Sequence, residues 1–491
     1  MQRIVVIGGG ITGLAAAHRL TELAATHSLS IDVTVLEASG RLGGSIATEL
    51  IGEFLVEAGP DSFITEKPWA LRLCERIGLT HRLVSTQSAY QKIFIVHNGQ
   101  LVALPEGFFL LAPTRLWPFI QTPLFSWPGK LRMAGELLLP RGELSDDESL
   151  GAFVRRRFGN EALERVAQPL VGGIYAADPD RLSLGATMPR FKEMERDRRS
   201  VIYAMWSAQR QRARKAETGS GARWSLFVTL AGGMQELVDT LAERLPDGSV
   251  RLNCAAKQLK LGPNGKSWQV TAGDNHVIAA DAVVLAAPAF RAGDLLSPID
   301  SNAAGELKSI SYASTATVSL AYRREDFPHA PNSFGFVVPA IERRKIMACT
   351  FSSLKYPGRA PEDKILLRAF VGGSLQPELF AASDGEMESS VRGELASLLG
   401  ITATPIFSRI WRHANSMPQY HVGHEARVKR IDGALQSFPT LTLAGSAYHG
   451  VGISDCVRTG EEAAEKVLAR ISSNPSGALG VPANKPQQRS S

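Results

Sequence analysis

Gly8, Gly10 and Gly13 stand as G-x-G-x-x-G between a short apolar run and a stretch of helical periodicity. That spacing has a specific use. The first glycine permits a tight turn, the second lets a pyrophosphate approach the backbone, and the third lets a helix pack closely on a strand. Gly9, Ile11 and Thr12 fill the positions between, and the free N–H groups of the helix start would face the phosphates. Glu37 ends the next apolar run and Ala38 follows it. A carboxylate there can accept both ribose hydroxyls of an adenosine and repels a 2′-phosphate. A surface glutamate at a strand end is the plain alternative, but its distance beyond the glycines favours dinucleotide binding.

A second glycine turn, Arg41-Leu42-Gly43-Gly44, comes directly after. Arg41 can neutralise a pyrophosphate, and the two glycines let the chain pass close to a cofactor. An R-x-G-G at this offset resembles the second glycine signature of the flavin amine oxidase and phytoene desaturase superfamily, which implies FAD rather than NAD. A third segment lies at the far end. An apolar run ends in Gly445-Ser446, and Gly450-Val451-Gly452 leads into Ile453-Ser454 and a helix. The N-terminus of that helix could face the flavin ring or its ribityl chain, and its dipole would stabilise the anionic reduced flavin.

The elements that must place these residues follow from periodicity. Residues 4–7 are a buried strand, 11 to about 23 a helix with Leu14, Ala17 and Leu20 on one face, and 33–36 the next strand. Together they make a βαβ unit. Further strand-like runs occupy 250–252, 268–271, 282–287, 314–322, 334–338, 364–371 and 441–444, with a last helix from 453 to about 471. Between 105 and 140, Phe108, Trp117, Phe125 and Trp127 alternate with Pro113, Pro118, Pro123 and Pro128, which excludes one continuous helix. Short helices are expected there; the sharper reading is an apolar surface that meets a membrane or a greasy substrate. Residues 149–216 read as helices, 218–221 as a loop, and 473–491 as a disordered tail.

The fold class expected is α/β: a Rossmann-like FAD-binding domain from 1–95, 225–300 and 435–472, a mixed-sheet substrate domain over 300–435, and a helical insertion over 105–225 covering the active site. The bulk properties permit this. The chain has 491 residues, 44% hydrophobic and 21% charged, with a formal net charge of +6. The charge is spread without a long basic block, so nucleic-acid binding is not expected; an anionic substrate or an anionic membrane surface stays open. Four cysteines lie far apart with no metal-ligand spacing, which fits a reducing cytoplasm. Arg3 leads straight into the first strand, so no signal peptide is read, and no apolar run reaches the roughly 18 residues needed to span a bilayer.

The resemblance becomes specific in LAGSAYHGVGISDCVRTG at 443–460, Gly59-Pro60-Asp61-Ser62-Phe63, Gly172-Gly173-Ile174-Tyr175-Ala176, Leu182-Ser183 and Met417 to His424. These segments are similar to those of the oxygen-dependent protoporphyrinogen and coproporphyrinogen oxidases of haem biosynthesis, over nearly the whole chain. The resemblance implies one non-covalent FAD held by Gly8 to Gly13, Glu37, Ala38, Arg41, Gly43, Gly44, Gly59, Pro60, Asp61, Ser62, Ala256 and the 445–454 segment. It implies a porphyrinogen as substrate, with Lys92 pairing a propionate, Gly173 in a chamber loop, and Phe370 packing on the macrocycle. A strand-end surface lysine, a turn glycine and a core phenylalanine are the plain readings of those three. Dioxygen would be the acceptor and hydrogen peroxide the released product. A cytoplasmic enzyme is implied, with peripheral contact at the inner face of the membrane, a homodimer and hand-off to a ferrochelatase left open. No acid–base residue is implied, since the reaction needs mainly positioning; His449 reads as a packing residue. Rival readings are a flavin amine oxidase, a redox-neutral mutase and a non-catalytic flavoprotein scaffold.

Overall fold

Along the strand Gln2–Ile7, Ile4 and Val6 point to one side and Val5 and Ile7 to the other, and all four are buried. A strand that is apolar on both sides must be covered on both. In the computed structural model it is the middle strand of a five-stranded parallel sheet, ordered Val250–Arg251, Ile31–Leu36, Gln2–Ile7, Ala282–Leu285, Leu441–Leu443. The helices Ile11–His27 and Ile453–Ser472 bury one face through Leu14, Leu20, Val457 and Val467. The other face lies under a small antiparallel sheet of Gln258–Leu261, Trp268–Thr271 and Val277–Ala280, with the helices Ala289–Leu296, Ser301–Lys308 and His424–Leu435. The strands that lead into both terminal glycine segments therefore sit in one sheet.

The structure describes residues 1–472 except 110, 111, 114, 143–146, 217–224, 264, 274 and 328–331. The loop expected at 218–221, the tail at 473–491, and Leu110 and Leu111 lie outside the described residues.

A seven-stranded mixed sheet runs Phe407–Pro418, Tyr312–Arg323, Lys364–Gly372, Ala348–Phe351, Ser333–Val337, Lys92–His97, Gln100–Ala103. Alternation divides its residues. Val318, Leu320, Leu367, Ala369 and Phe336 pack under the helix Asp384–Leu399 through Met387, Val391 and Leu395. Arg368 and Phe370 fall on the opposite face. This sheet corrects the expected boundary at residue 95. Lys92–His97 pairs parallel with Ser333–Val337 rather than joining the nucleotide sheet, because Ile95 enters the core of the helical insertion and Val96 that of the large sheet.

The insertion holds the helices Leu116–Gln121, Trp127–Ala134, Leu150–Phe158, Gln168–Tyr175, Pro189–Arg198 and Val201–Ala216. Ser126 and Ser149 cap two of them by accepting from the N–H of Gly129 and Ala152. Phe119, Phe125, Phe153 and Phe158 form its core beside a fully buried Arg157–Glu136 ion pair. Leu116, Trp117, Trp127, Leu131 and Leu138 face outward, each more than half exposed. Among the described residues no helix is long and apolar enough to cross a membrane.

Candidate functional site

The glycines of the first motif do different jobs. A side chain on Gly8 would meet Ala286 O at 2.5 Å, and one on Gly13 would meet Gly8 O at 1.9 Å. Gly8 lets the end of the neighbouring strand Ala282–Leu285 come close, and Gly13 lets the helix lie on the turn. Gly10 differs, since an added Cβ would enter open space with Gly44 Cα as its neighbour at 4.0 Å. Gly10 is the extended N-cap of the 17-residue helix Ile11–His27 and supplies no side-chain cap. The first N–H groups of a long helix thus look into a gap bounded by two glycines, which fits the phosphates of a nucleotide cofactor. Gly43 N–H donates to Gly9 O at 2.9 Å and seats the second glycine turn against the first, with Gly43 and Gly44 both at positive φ.

Glu37 lies at the end of its strand, where Oε2 accepts from Gly9 N–H at 2.7 Å and Oε1 from Ser39 N–H at 2.8 Å. Ala38 beside it is exposed. Cys254 N–H donates to Glu37 O at 2.8 Å, which brings the half-buried Ala256 to the same end of the site. Arg41 has work beyond a phosphate. Its guanidinium donates to the carbonyls of Leu42 (3.1 Å), Gly44 (2.5 Å) and Ile46 (2.8 Å), folding its own turn while the side chain stays exposed.

The far glycine segment is adjacent. Gly445, at φ +130°, has Thr12 Oγ1 3.9 Å from its built Cβ, and its N–H donates to Thr459 Oγ1 at 3.2 Å. Gly460 lets the two long helices cross, since a Cβ there would lie 2.3 Å from Thr12 O. Tyr420 holds the loop closed: its hydroxyl donates to Ser446 O at 2.6 Å and accepts from Gly450 N–H at 2.8 Å. The Tyr420 ring stacks on His424 at 3.9 Å between centroids. His424 Nε2 lies 3.2 Å from Tyr448 O, a contact that requires the proton on Nε2. Burial lowers His424 to about 4, against the raising effect of that hydrogen bond, so the imidazole is neutral. Val451 packs against the insertion, Ile453 and Ser454 are buried, Gly452 is exposed, and Ser454 Oγ donates to Ile64 O at 3.3 Å. Asp455 in the first turn of the last helix pairs with Lys67 at 2.6 Å. His449 is exposed, its carbonyl accepting from Arg458 at 2.9 Å.

Gly59 to Ser62 pass under the large sheet. A Cβ on Gly59 would lie 1.8 Å from Ser45 O, and Gly59 O accepts from Arg368 at 2.6 Å. Next to Pro60, Asp61 receives Lys355 on both oxygens at 3.0 Å, Arg368 at 3.1 Å and the Ser62 hydroxyl at 2.7 Å. Burial alone would raise Asp61, but Lys355 and Arg368 outweigh it and hold the carboxyl well below the usual range. Burial also pulls the Lys355 ammonium down, with Asp61 opposing. The Arg368 guanidinium then covers Phe370, 4.9 Å from its ring centroid. One arginine therefore joins the Gly59–Ser62 segment to Phe370.

Gly173 requires a correction: it lies in the last turn of the helix Gln168–Tyr175, not in a loop, because the apolar run through Val171 continues the helix into the insertion's core. Its built Cβ would touch Val337 Cγ1 at 3.9 Å, so it faces the large sheet. Lys92 is exposed at the start of its strand, and its carbonyl accepts from Ser333 Oγ at 2.8 Å. No ion pair engages its ammonium among the described residues. Among the described residues its ammonium makes no hydrogen bond to Gly173 or Phe370. Sequence reasoning missed Lys355 and Arg368, and named Tyr420 and His424 only within the Met417 to His424 likeness, without a role. Arg368 carried a signal, being a lone charge inside the apolar strand Lys364–Gly372.

A parallel sheet with a glycine cradle at each end, opposed by a mixed sheet, is the architecture of a flavin oxidoreductase. The family model of flavin-containing amine oxidoreductases matches residues 11–468, and the chain belongs to that family. Within it, the chain belongs to the group of coproporphyrinogen III and protoporphyrinogen oxidases. It is 35% identical to the coproporphyrinogen III oxidase of Bacillus subtilis (strain 168), over 96% of this chain and 98% of that one. Identity to the enzyme of the same name from Propionibacterium freudenreichii is 37%, over 96% and 92%. A crystal structure from Exiguobacterium sp. 255-15, provisionally named protoporphyrinogen oxidase, superposes with a TM-score of 0.83 at 32% identity, covering 96% and 99%. Reduced UDP-galactopyranose mutase, with a TM-score of 0.70 at 16% identity and 96% of both chains covered, shares the fold alone.

Proposed function

We propose that this protein oxidises a porphyrinogen to the porphyrin in haem biosynthesis, with coproporphyrinogen III preferred and FAD as its flavin. The observation that carries the reading is similarity at 35% and 37% identity, over nearly full length, to two proteins named coproporphyrinogen III oxidase. Protoporphyrinogen oxidases of Arabidopsis thaliana follow at 27% and 30%. The glycine cradle and the end of the Glu37 strand support FAD over a mononucleotide, because phosphates and a ribose both find partners there. Six electrons and six protons leave the porphyrinogen, and three dioxygen molecules become three hydrogen peroxide molecules.

The flavin supplies a two-electron acceptor when bound. This chain's residues bind and orient. Gly10 and the N-terminus of the first helix receive the pyrophosphate, and Glu37 the ribose. Tyr420 fixes the 446–450 loop, while the last helix directs its positive end at the site. Lys92 holds a propionate, and Gly173 and Phe370 bound the chamber. We assign no acid–base residue, since bringing a bridge carbon to the acceptor is an orientation task. The parts 300–435 and 105–225 serve as substrate sheet and cover. The basic balance and the outward Trp117 and Trp127 support work at an anionic membrane surface, with a dimer and hand-off to a ferrochelatase as the associations to examine.

Anaerobic mixing of the yellow protein with each substrate tests this. Coproporphyrinogen III should bleach the flavin fastest, protoporphyrinogen IX more slowly, and a primary amine not at all. Bleaching by the amine alone would return the chain to amine oxidation, and bleaching by none would favour a scaffold.

A further inference from the structure

Asp61, Lys355 and Arg368 form a buried ion cluster at the meeting of the Gly59–Ser62 segment and the large sheet. Around it lie Glu57 and Arg359, 3.8 Å apart. Two carboxylates thus meet three cations, a formal excess of one positive charge, and burial, which raises Glu57, works against the negative side of that count. No further acid is paired with it among the described residues. The hydrogen bonds of its core are nearly used up. The Lys355 ammonium reaches both Asp61 oxygens and Ser62 Oγ at 3.5 Å, and it sits 5.1 to 6.0 Å from the ring centroids of Tyr356, Phe227 and Phe334. Arg368 spends its two terminal nitrogens on Glu57 O, Gly59 O and Asp61. Only its buried Nε is left without a partner among the described residues, so the cluster has little with which to grip a ligand directly. What it offers is a fixed field in a low-dielectric place. Burying an unbalanced charge is expensive unless something negative is placed near it. Aliphatic or paired residues would hold the segment more cheaply.

We propose that the Asp61–Lys355–Arg368 cluster is a positioning device whose excess positive charge stabilises negative charge arriving on the flavin at Gly59–Ser62. The inference rests on the reading of Gly59–Ser62 as a flavin-facing segment. Arg368 is the natural lever, because the same guanidinium holds Gly59 O and lies over Phe370. The field then acts where the proposed flavin segment and the proposed chamber adjoin. Lys355 and Asp61 have opposite signs in this account. Removing the ammonium leaves the cluster neutral, and removing the carboxylate raises its excess to two.

The test uses reconstituted holoprotein and reads the oxidised–reduced equilibrium of the flavin against a reference dye, with sulfite affinity as a second readout. Lys355→Met should disfavour the reduced form about tenfold, a fall of roughly 30 mV for a two-electron couple, and should weaken sulfite binding. Asp61→Asn should move both readings the other way. Lys355→Arg should restore the wild-type potential. If Lys355→Met retains too little flavin to measure, Lys355→Gln and the Asp61→Asn shift carry the test. Shifts in the same direction for the lysine and aspartate variants would overturn the field and leave a structural bridge. A changed visible spectrum without the opposed shifts has the same consequence while keeping the segment at the flavin. Unchanged spectrum and potential in all variants would remove Gly59–Ser62 from the flavin altogether.

Discussion

The glycine cradle and the buried side-chain clusters around it are built by opposite means. The cradle is backbone: Gly8 and Gly13 permit contact, Gly10 and Gly44 leave a gap, and a helix end supplies the polarity. Its parts lie within the first 44 residues, apart from the closing segment at 445–452. The supports around it are side chain on side chain, drawn from Asp61, Lys355, Arg368, Tyr420 and His424, which come from distant stretches of the chain. A backbone site tolerates almost no added atom but is indifferent to pH. A side-chain site tolerates conservative exchange but answers to charge, because its bonds depend on which groups are ionised.

The largest expected effect separates two glycines of one motif. Gly13→Val places atoms where Gly8 O already lies 1.9 Å from the built Cβ, and should cost about 3 kcal/mol or more of stability, seen as loss of cooperative unfolding. Gly10→Val should fold with nearly wild-type stability and purify without flavin. If both variants fold equally well and are equally yellow, the division of labour within the cradle is wrong.

Acid should separate the two regions next. His424 falls from 6.5 to about 4 on folding, so the folded state binds its proton less well than the unfolded state. Its contribution is full above about pH 6.5 and is lost as pH falls toward 4, the loss reaching about 3 kcal/mol at the acid end. Thermal unfolding followed from pH 7 to 4 should fall less steeply in His424→Asn. Parallel curves for the two proteins would show that this imidazole is not what acid attacks.

Tyr420→Phe keeps the ring on His424 and removes the hydroxyl that joins Ser446 O to Gly450 N–H. A loss of about 1 to 3 kcal/mol is expected, read as faster flavin release on dilution. The melting curve should move less than the release rate. Release at the wild-type rate would mean that the loop holds itself.

Lys92→Met gives the smallest effect on the protein itself. The ammonium is exposed and without an ion pair among the described residues, so stability and flavin content should not change. A charge-assisted bond to a propionate would appear as about 1 to 3 kcal/mol in KM. A propionate-methylated substrate should erase the difference. Wild-type KM and kcat in the variant would leave Lys92 a surface lysine and move substrate anchoring to the insertion.

The cradle was legible in the sequence because its physics is local. A tight turn and a helix start need glycine at fixed spacing, and the unbroken apolar run at 4–7 already requires cover on both faces. The terminal motifs and their family likeness pointed the same way. Gly173 misled only through the resemblance, which implied a chamber loop; the helices read over 149–216 include it, and neighbouring Val171 buries the segment as a helix. Lys92–His97 misled because a strand does not declare which sheet it will join. Its partner Ser333–Val337 lies far along the chain, and Ile95 and Val96 are apolar enough for either choice. Arg368 was visible as an anomaly, a cation in an apolar strand, yet its partners were not. Which carboxylate neutralises a buried cation is decided by three-dimensional packing: Asp61 and Lys355 meet only when Gly59–Ser62 passes beneath the large sheet. The sequence by itself determined the flavin-enzyme family and where its glycine turns fall. The tertiary structure decided where the charges lie around it, because Coulomb energy depends on distance and burial, and neither is written in residue spacing.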